Sequence, residues 1–276
     1  MHIVNARSPV PGAQMVHLTA QVLCVIGERN AEGSRIVDIV NATGLERATV
    51  NRIARALCAA GLAECEHDGR RYHLGPLTFE LGISAAQRFP LRDLAAASLD
   101  RVAHETGDTC FLMVRSGPDA VCIDRREGTF PVRALTIEIG NRRPLGAAAA
   151  SVALLMHMPP AECADYLHAN ATRIKRYGML DEAAVAHMVA RARRLGYALN
   201  HDNIIPEVSA VGVAIPARMG QPYAALSVAA LTSRIMTDQR DQKIVALLHA
   251  EAQVIAAALQ PPALPPAADE PTPERG

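Results

Sequence analysis

Residues 47–55, RATVNRIAR, place three arginines, a threonine and an asparagine within nine positions. At 100° per residue, Val50, Ile53, Ala54 and Leu57 fall on one apolar stripe. The opposite side displays Ala48, Asn51, Arg52 and Arg55, with Arg47 and Thr49 near the N-terminal end of the same predicted helix. These residue types match the chemistry of a DNA major groove, where Arg pairs with guanine, Asn with adenine, and small side chains permit close approach. Arg70 and Arg71 follow in the segment HDGRRY, placed to reach a flanking phosphate or the minor groove. Arginines on the outer face of an isolated helix usually do no more than solvate it, so the surrounding elements have to decide between the two readings.

Other chemistry has weaker support. The sequence carries no GxSxG elbow, no GxxxxGK[ST] loop and no GxGxxG turn, which removes acyl transfer, P-loop and Rossmann readings. His157, Cys163 and His168 sit on neighbouring predicted helices, and His104 adjoins Glu105. None has the spacing and third partner that a zinc site needs, and they read more readily as surface or interface residues. No metal and no cofactor is therefore expected. The six cysteines, at 24, 58, 65, 110, 122 and 163, form no CxxC pair. That pattern implies a reduced, cytoplasmic compartment. Cys110 and Cys122, on predicted neighbouring strands, are the one pair to consider for redox sensing.

The elements that would position the arginines are legible on both sides of them. Residues 13–29 have helical spacing and end in the turn chemistry of GERNAEG. Residues 34–43 form a second helix with Ser34 as the expected N-cap and Gly44 as the stop. A longer helix runs from 46 to 60 and ends at Gly61. LAECEHDGRRYHLG then alternates around a DG turn, as a β-hairpin does. Helix, helix, turn, helix, hairpin is the order of a winged helix-turn-helix, and this agreement favours the groove reading over the solvated-helix one.

Beyond residue 75 the pattern changes. LTFELGISAAQ keeps helical spacing, so residues 76–90 read as a linker helix closed by Pro90. DTCFLMVRS and DAVCIDRRE are strand-like stretches joined by a GP turn, and PYAALSVAAL is another strand. Helices are expected at about 147–157, 160–170, 181–195 and 239–259. The predicted organisation is a winged helix-turn-helix over 1–75, the linker helix over 76–90, a mixed α/β sensor domain over 91–260 and a disordered Pro-rich tail over 261–276. The chain has 276 residues, which suits two modest domains. Its formal net charge is zero, so any DNA-binding charge has to be local. The longest apolar run, AAAASVALLM at 147–156, is too short to span a bilayer, and the N-terminus lacks the features of a signal peptide.

The run IVNATGLERATVNRIARALCAAGLAECEHDGRRYHLGPLTFELG resembles the N-terminal domain of the IclR family of bacterial transcription regulators. The shared features are the Thr43–Gly44–Leu45 turn, the Thr-Val-x-Arg of the third helix, and the Tyr-x-Leu-Gly that closes the wing. GNRRPLGAAAASVALL, RRLGYALN and VGVAIPARMGQPYAALSVAAL follow the order of that family's effector-binding domain, so the resemblance covers roughly residues 15–258. It implies an α/β (α+β) architecture, a winged helix-turn-helix followed by a mixed α/β, GAF- or profilin-like effector domain. It further implies double-stranded operator DNA and a small organic-acid effector as partners, a homodimer or tetramer as the assembly, and no catalysis.

By the same resemblance, the ligand pocket is lined by Ala149, Ala150, Gly212, Ser227 and Ala229, with a polar contact from Asp202 or Asn203. Many relatives carry a His after Pro-Leu and a later Gly-Lys pair, where this chain has Gly146, Ser151 and Val152. Relatives that bind small carboxylic acids tend to have Cys and Ser at the positions of Gly212 and Ala229. The pocket is therefore expected to be roomier and less polar, suited to a larger, partly apolar or aromatic carboxylate. Plain sheet–helix packing is the competing account of Ala149 and Ala150. Leu18, Val22, Leu77 and Leu81 are the expected dimer surface. The class-different alternative is an enzyme or metabolite-binding module whose N-terminal helices only dimerise.

Overall fold

The computed structural model describes residues 11–217, 220–237 and 239–259. The expected disordered tail, 261–276, lies outside the described residues. Three helices open the chain: α1 (Gln14–Glu28), α2 (Ile36–Thr43) and α3 (Arg47–Ala59). They bury Val22, Val25, Ile26, Ile39, Val50, Ile53, Ala54 and Leu57 in one core, and all four residues of the predicted α3 stripe are inside. The hairpin β1 (Ala63–Cys65) and β2 (Tyr72–Leu74) pairs Ala63 with Leu74 and Cys65 with Tyr72.

Ser34 does not cap α2. Arg35 holds the N-cap position, and its backbone N–H donates to Asp38 Oδ2 at 3.0 Å. Ser34 is fully buried, bridges Tyr72 in β2, and donates its hydroxyl to the Val25 carbonyl at 3.2 Å. A serine before a helix reads locally as a cap, whereas this one ties the wing to the helices.

The following helix, α4 (Pro76–Ala86), begins with Pro in its first turn, where the missing N–H has no helical partner to lose. It buries none of its residues, and Phe79, Leu81, Ile83 and the following Phe89 are all more than half exposed. Pro90 does not end this helix; it precedes α5 (Leu91–Thr106), a helix absent from the sequence reading.

The rest of the chain builds one six-stranded antiparallel sheet. Its strands are β3 (Thr109–Ser116), β4 (Asp119–Arg126), β5 (Arg142–Pro144), β6 (Ala198–Ile205), β7 (Val208–Ala214) and β8 (Ala224–Leu231). They lie in the order β5-β4-β3-β8-β7-β6. One face is covered by α6 (Ala149–Leu155), α7 (Pro160–Ile174) and α8 (Glu182–Leu195). The other face packs on α5 and α10 (Arg240–Ala258), with the single turn α9 (Thr232–Ile235) between β8 and α10. Alternation along β8 divides its residues accordingly, Ala225 and Ala229 to the first core and Leu226 and Val228 to the second.

Candidate functional site

Two places concentrate the predicted functional residues. The first is the outer face of α3. The turn before it is fixed by Thr43, whose hydroxyl donates to the Ile39 carbonyl at 2.7 Å and accepts from the Leu45 N–H at 3.3 Å. Gly44 adopts the left-handed conformation at φ 71°, which a side chain would resist. With the apolar stripe buried, Arg47, Ala48, Arg52 and Arg55 stand exposed, and Thr49 and Asn51 are half-buried. None of the three arginines has an ion-pair partner among the described residues. Asn51 turns its amide back along the helix and donates to the Arg47 carbonyl at 3.0 Å.

At the wing, Arg70 is exposed and only 3.9 Å from Asp68 Oδ2, a loose pairing. Arg71 is a different case. Its guanidinium donates to the carbonyls of Glu32 and Gly33 at 2.9 and 3.1 Å, so it braces the wing against the loop between α1 and α2.

The second place is a cavity between the sheet and α6. Phe111, Met113, Ile137, Ile204 and Val208 give it an apolar wall, and its polar groups are Thr136, Arg143, Asn200 and Ser227. Ala149, Ser227 and Ala229 line it as predicted positions, whereas Ala150 and Gly212 do not. A Cβ at Gly212 would lie 2.8–2.9 Å from backbone atoms of Ala149 and Ala150. The small residue there lets α6 lie close on the sheet, which is the packing account, and it leaves no space over. The free volume is about 30 Å³, room for about two or three waters.

Asp202 is also corrected. It sits at the register break of β6 with φ 54°, and its carboxylate accepts from the hydroxyls of Thr232 and Ser209, away from the cavity. Asn203 stands behind the wall, donating its amide to Asn200 Oδ1 at 3.0 Å. Thr136, Arg143 and Asn200 are the polar wall residues that the sequence did not point to. Asn200 is 4% and Ser227 6% exposed. The Ser227 hydroxyl and the Asn200 amide nitrogen have no hydrogen-bond partner among the described residues.

Arg143 and its neighbours also bound a second space. Thr136, Ile137 and Arg143 are shared between the cavity and a cleft of about 230 Å³, whose remaining wall is Glu28, Arg29, Asn141, Arg142 and Tyr177. Glu28 and Arg29 belong to the end of α1, so this cleft separates the helix-turn-helix from the sheet. Burial and the nearby Asp119 push the Glu28 carboxyl above its ordinary value, against the pull of Arg173 and Arg142.

No cysteine lines the cavity or the cleft. Cys110 and Cys122 lie on adjacent strands but out of register, Cys110 opposite Arg126 and Cys122 opposite Met113. Burial pushes both thiols up, Cys122 to about 12, which keeps them protonated and unreactive. Among the described residues no three His, Cys, Asp or Glu gather closely enough to hold a metal ion, and no helix is long and apolar enough to cross a membrane.

A helix-turn-helix with a braced wing, joined through an exposed apolar helix to an α/β domain with a small internal cavity, defines a regulator of the winged helix-turn-helix class. Comparison with known proteins narrows the class to one family. The family model "Bacterial transcriptional regulator IclR C-terminal" matches residues 83–257. The HTH-type transcriptional regulator BhcR of Paracoccus denitrificans is 28% identical over 213 residues, 76% of this chain and 75% of its own. The crystal structure of an IclR-type regulator from Alicyclobacillus acidocaldarius superposes with a TM-score of 0.72 at 25% identity, covering 91% of this chain and 99% of that one. An IclR homologue from Microbacterium hydrocarbonoxydans, solved in complex with 4-hydroxybenzoate, shares the fold at a TM-score of 0.67 and 23% identity over 88% of this chain and 98% of its own. The chain belongs to the IclR family and is a transcriptional regulator, not an enzyme.

Proposed function

We propose that this regulator binds operator DNA through α3 and its wing, and that a small organic acid entering the cavity beside α6 alters that binding. The observation that carries the reading is the outer face of α3, where Arg47, Arg52 and Arg55 are exposed and carry no carboxylate partner among the described residues. Unpaired arginines on the second helix of a helix-turn-helix are suited to guanine edges and phosphates. Thr49 and Asn51 contribute at the groove floor if the Asn51 amide is released from the Arg47 carbonyl, and Arg70 reaches a flanking phosphate from the wing.

The effector half of the reading rests on the apolar wall around two buried residues with a free polar atom each, the Ser227 hydroxyl and the Asn200 amide nitrogen. A pocket of mostly apolar character with few oriented polar groups suits a partly apolar acid. The 4-hydroxybenzoate held by the Microbacterium relative belongs to that class. With about 30 Å³ free, such a ligand has to displace wall side chains, and the unbranched Met113 is the one best suited to change rotamer.

A homodimer, alone or paired into a tetramer, follows from the need for two half-sites about 34 Å apart or a multiple of that. The apolar residues of α4 are the natural surface for it: Phe79, Leu81 and Ile83 are 54–70% exposed. Val22, expected at that surface, is instead fully buried in the core of its own domain. The place of action is the cytoplasm, where operator DNA is found.

A gel shift with the DNA adjoining the protein's own gene tests the reading. A sequence-specific complex that weakens steeply with salt is expected, and addition of an effector acid should change its amount. Absence of any specific complex at low salt would favour the alternative, a metabolite-binding module whose N-terminal helices serve only assembly.

A further inference from the structure

Arg143 is the only charged side chain on the cavity wall among the described residues. It comes from β5, one edge of the sheet, while Asn200 comes from β6 at the other edge, so the curl of the sheet brings them to one wall. Nearby arginines are engaged: Arg142, next to it in the chain, pairs with the buried Asp119 at 3.3 Å, and Arg173 from α7 meets the same carboxylate at 2.6 Å. Arg143 has no carboxylate within ion-pair distance among the described residues. Its guanidinium donates only to the backbone carbonyls of Thr136 and Ala147, and it lies over the Tyr177 ring at 5.4 Å.

We infer that Arg143 is the residue that reads the effector's carboxylate, holding it at the boundary between the apolar cavity and the cleft against α1. This rests on the reading of the cavity as the effector site. An ionised carboxylate taken out of water needs a charged or multiply donating partner. A guanidinium supplies two parallel N–H donors in a planar fork that matches a carboxylate. Ser227, Asn200 and Thr136 supply neutral hydrogen bonds only, and the remaining wall is apolar, so the acid's charge has one place to go. The body of the ligand then lies against Phe111, Met113 and Ile137, and the carboxylate faces the shared wall at Thr136 and Arg143. Because that wall also bounds the space in front of Glu28 and Arg29, the charge of the effector is registered where the sheet faces the helix-turn-helix. Selection between an acid and its uncharged analogue becomes the property of Arg143, while Ser227 and Asn200 orient the ligand.

Thermal unfolding of the full chain tests this with three acids, benzoate, 4-hydroxybenzoate and pyruvate, each against its primary amide, in the wild type, R143Q, R143K and S227A. A ligand bound only by the folded state raises the midpoint in proportion to ln(1 + [L]/Kd). The expected result is a midpoint shift for at least one acid in the wild type, at least tenfold weaker binding of its amide, and loss of that acid preference in R143Q. R143K keeps the charge without the fork and should retain part of it. Equal shifts from acid and amide in the wild type, a comparison that needs no variant, would overturn the proposal. So would an undiminished acid preference in R143Q. If that preference survives in R143Q while S227A abolishes binding, the cavity stands as the effector site and Arg143 loses its role. If no acid shifts the wild type, the acid-effector reading falls and takes this inference with it, leaving operator binding by α3 untouched.

Discussion

The arginines of the two halves of this chain live in opposite circumstances. On α3, Arg47, Arg52 and Arg55 are exposed and unpaired, with the buried stripe beneath them making no demand on their charge. In the α/β domain, arginines converge on buried carboxylates: Arg142 and Arg173 on Asp119, and Arg234 and Arg240 on Asp108 at 3.1 and 2.9 Å. Asp119 is fully buried and Asp108 nearly so. A charge that already has a desolvated partner is part of the structure, whereas one left in water at no structural cost is available to an external anion. Zero net charge over the chain coexists with a locally basic helix, because α3 itself carries three arginines and no carboxylate.

The largest expected effect tests the structural side of that contrast. Replacing Asp119 by Ala leaves Arg142 and Arg173 facing one another in a site where each is less than one-fifth exposed. Removing one partner of a buried charge cluster costs about 3–5 kcal/mol. Urea unfolding of Asp119→Ala should show a loss of that size, and a loss below about 1 kcal/mol would mean that the arginines are not structurally committed.

The matching experiment on α3 should give the opposite pattern. Arg52→Ala with Arg55→Ala should leave unfolding stability within about 0.5 kcal/mol, as surface changes do. Operator affinity should fall by about 1–3 kcal/mol for each base contact removed, and each lost phosphate contact should reduce the salt slope by about one. A folded double mutant with unchanged operator affinity would remove this face from the groove and erase the distinction between the two sets. Arg70→Ala should act in the same direction and more weakly, through the salt slope alone.

What was legible in the sequence follows the range of the forces involved. The α3 stripe, the Gly44 turn and the DG hairpin are set by residues within a few positions of one another, and each appears where periodicity and turn chemistry put it. The helix α5 escaped because LRDLAAASLDRVAHET is rich in alanine and weakly amphipathic, so its apolar face emerges only against α10 and the sheet. The cavity was legible in part. Ala149, Ser227 and Ala229 line it, but Gly212 and Ala150 show that a small residue in a sequence reads equally as space or as close approach, and only the position of α6 distinguishes them. Arg143 and Asn200 meet through the curl of a sheet whose edges are more than fifty residues apart in the chain. The one local hint was the doubled arginine before Pro144. Asp202 was misplaced for a related reason: it is taken by Ser209 and Thr232, partners that sequence proximity does not reveal.

The smallest expected effect concerns the wing, where the two circumstances meet in one residue. His73 is on β2, with Nδ1 2.7 Å from the Asn30 carbonyl and Nε2 3.0 Å from Glu66 Oε1. Both partners are acceptors, so both contacts are hydrogen bonds only when the ring carries two protons; the neutral ring keeps one and loses the other. The Asn30 carbonyl first, and then Glu66, hold the His73 pKa above its ordinary 6.5. A raised value in the folded state means that the protonated ring favours folding. The contribution is complete below pH 6.5 and is lost as pH rises through the higher folded value. The pair is partly exposed, so the effect should stay below about 1 kcal/mol. The difference in unfolding midpoint between wild type and His73→Gln, followed from pH 5.5 to 8.5, should shrink as pH rises. A difference that is flat with pH would mean that the wing is held by Arg71 and the Ser34–Tyr72 bridge alone. A difference that grows with pH would mean that the sign is wrong and that the ring is held neutral.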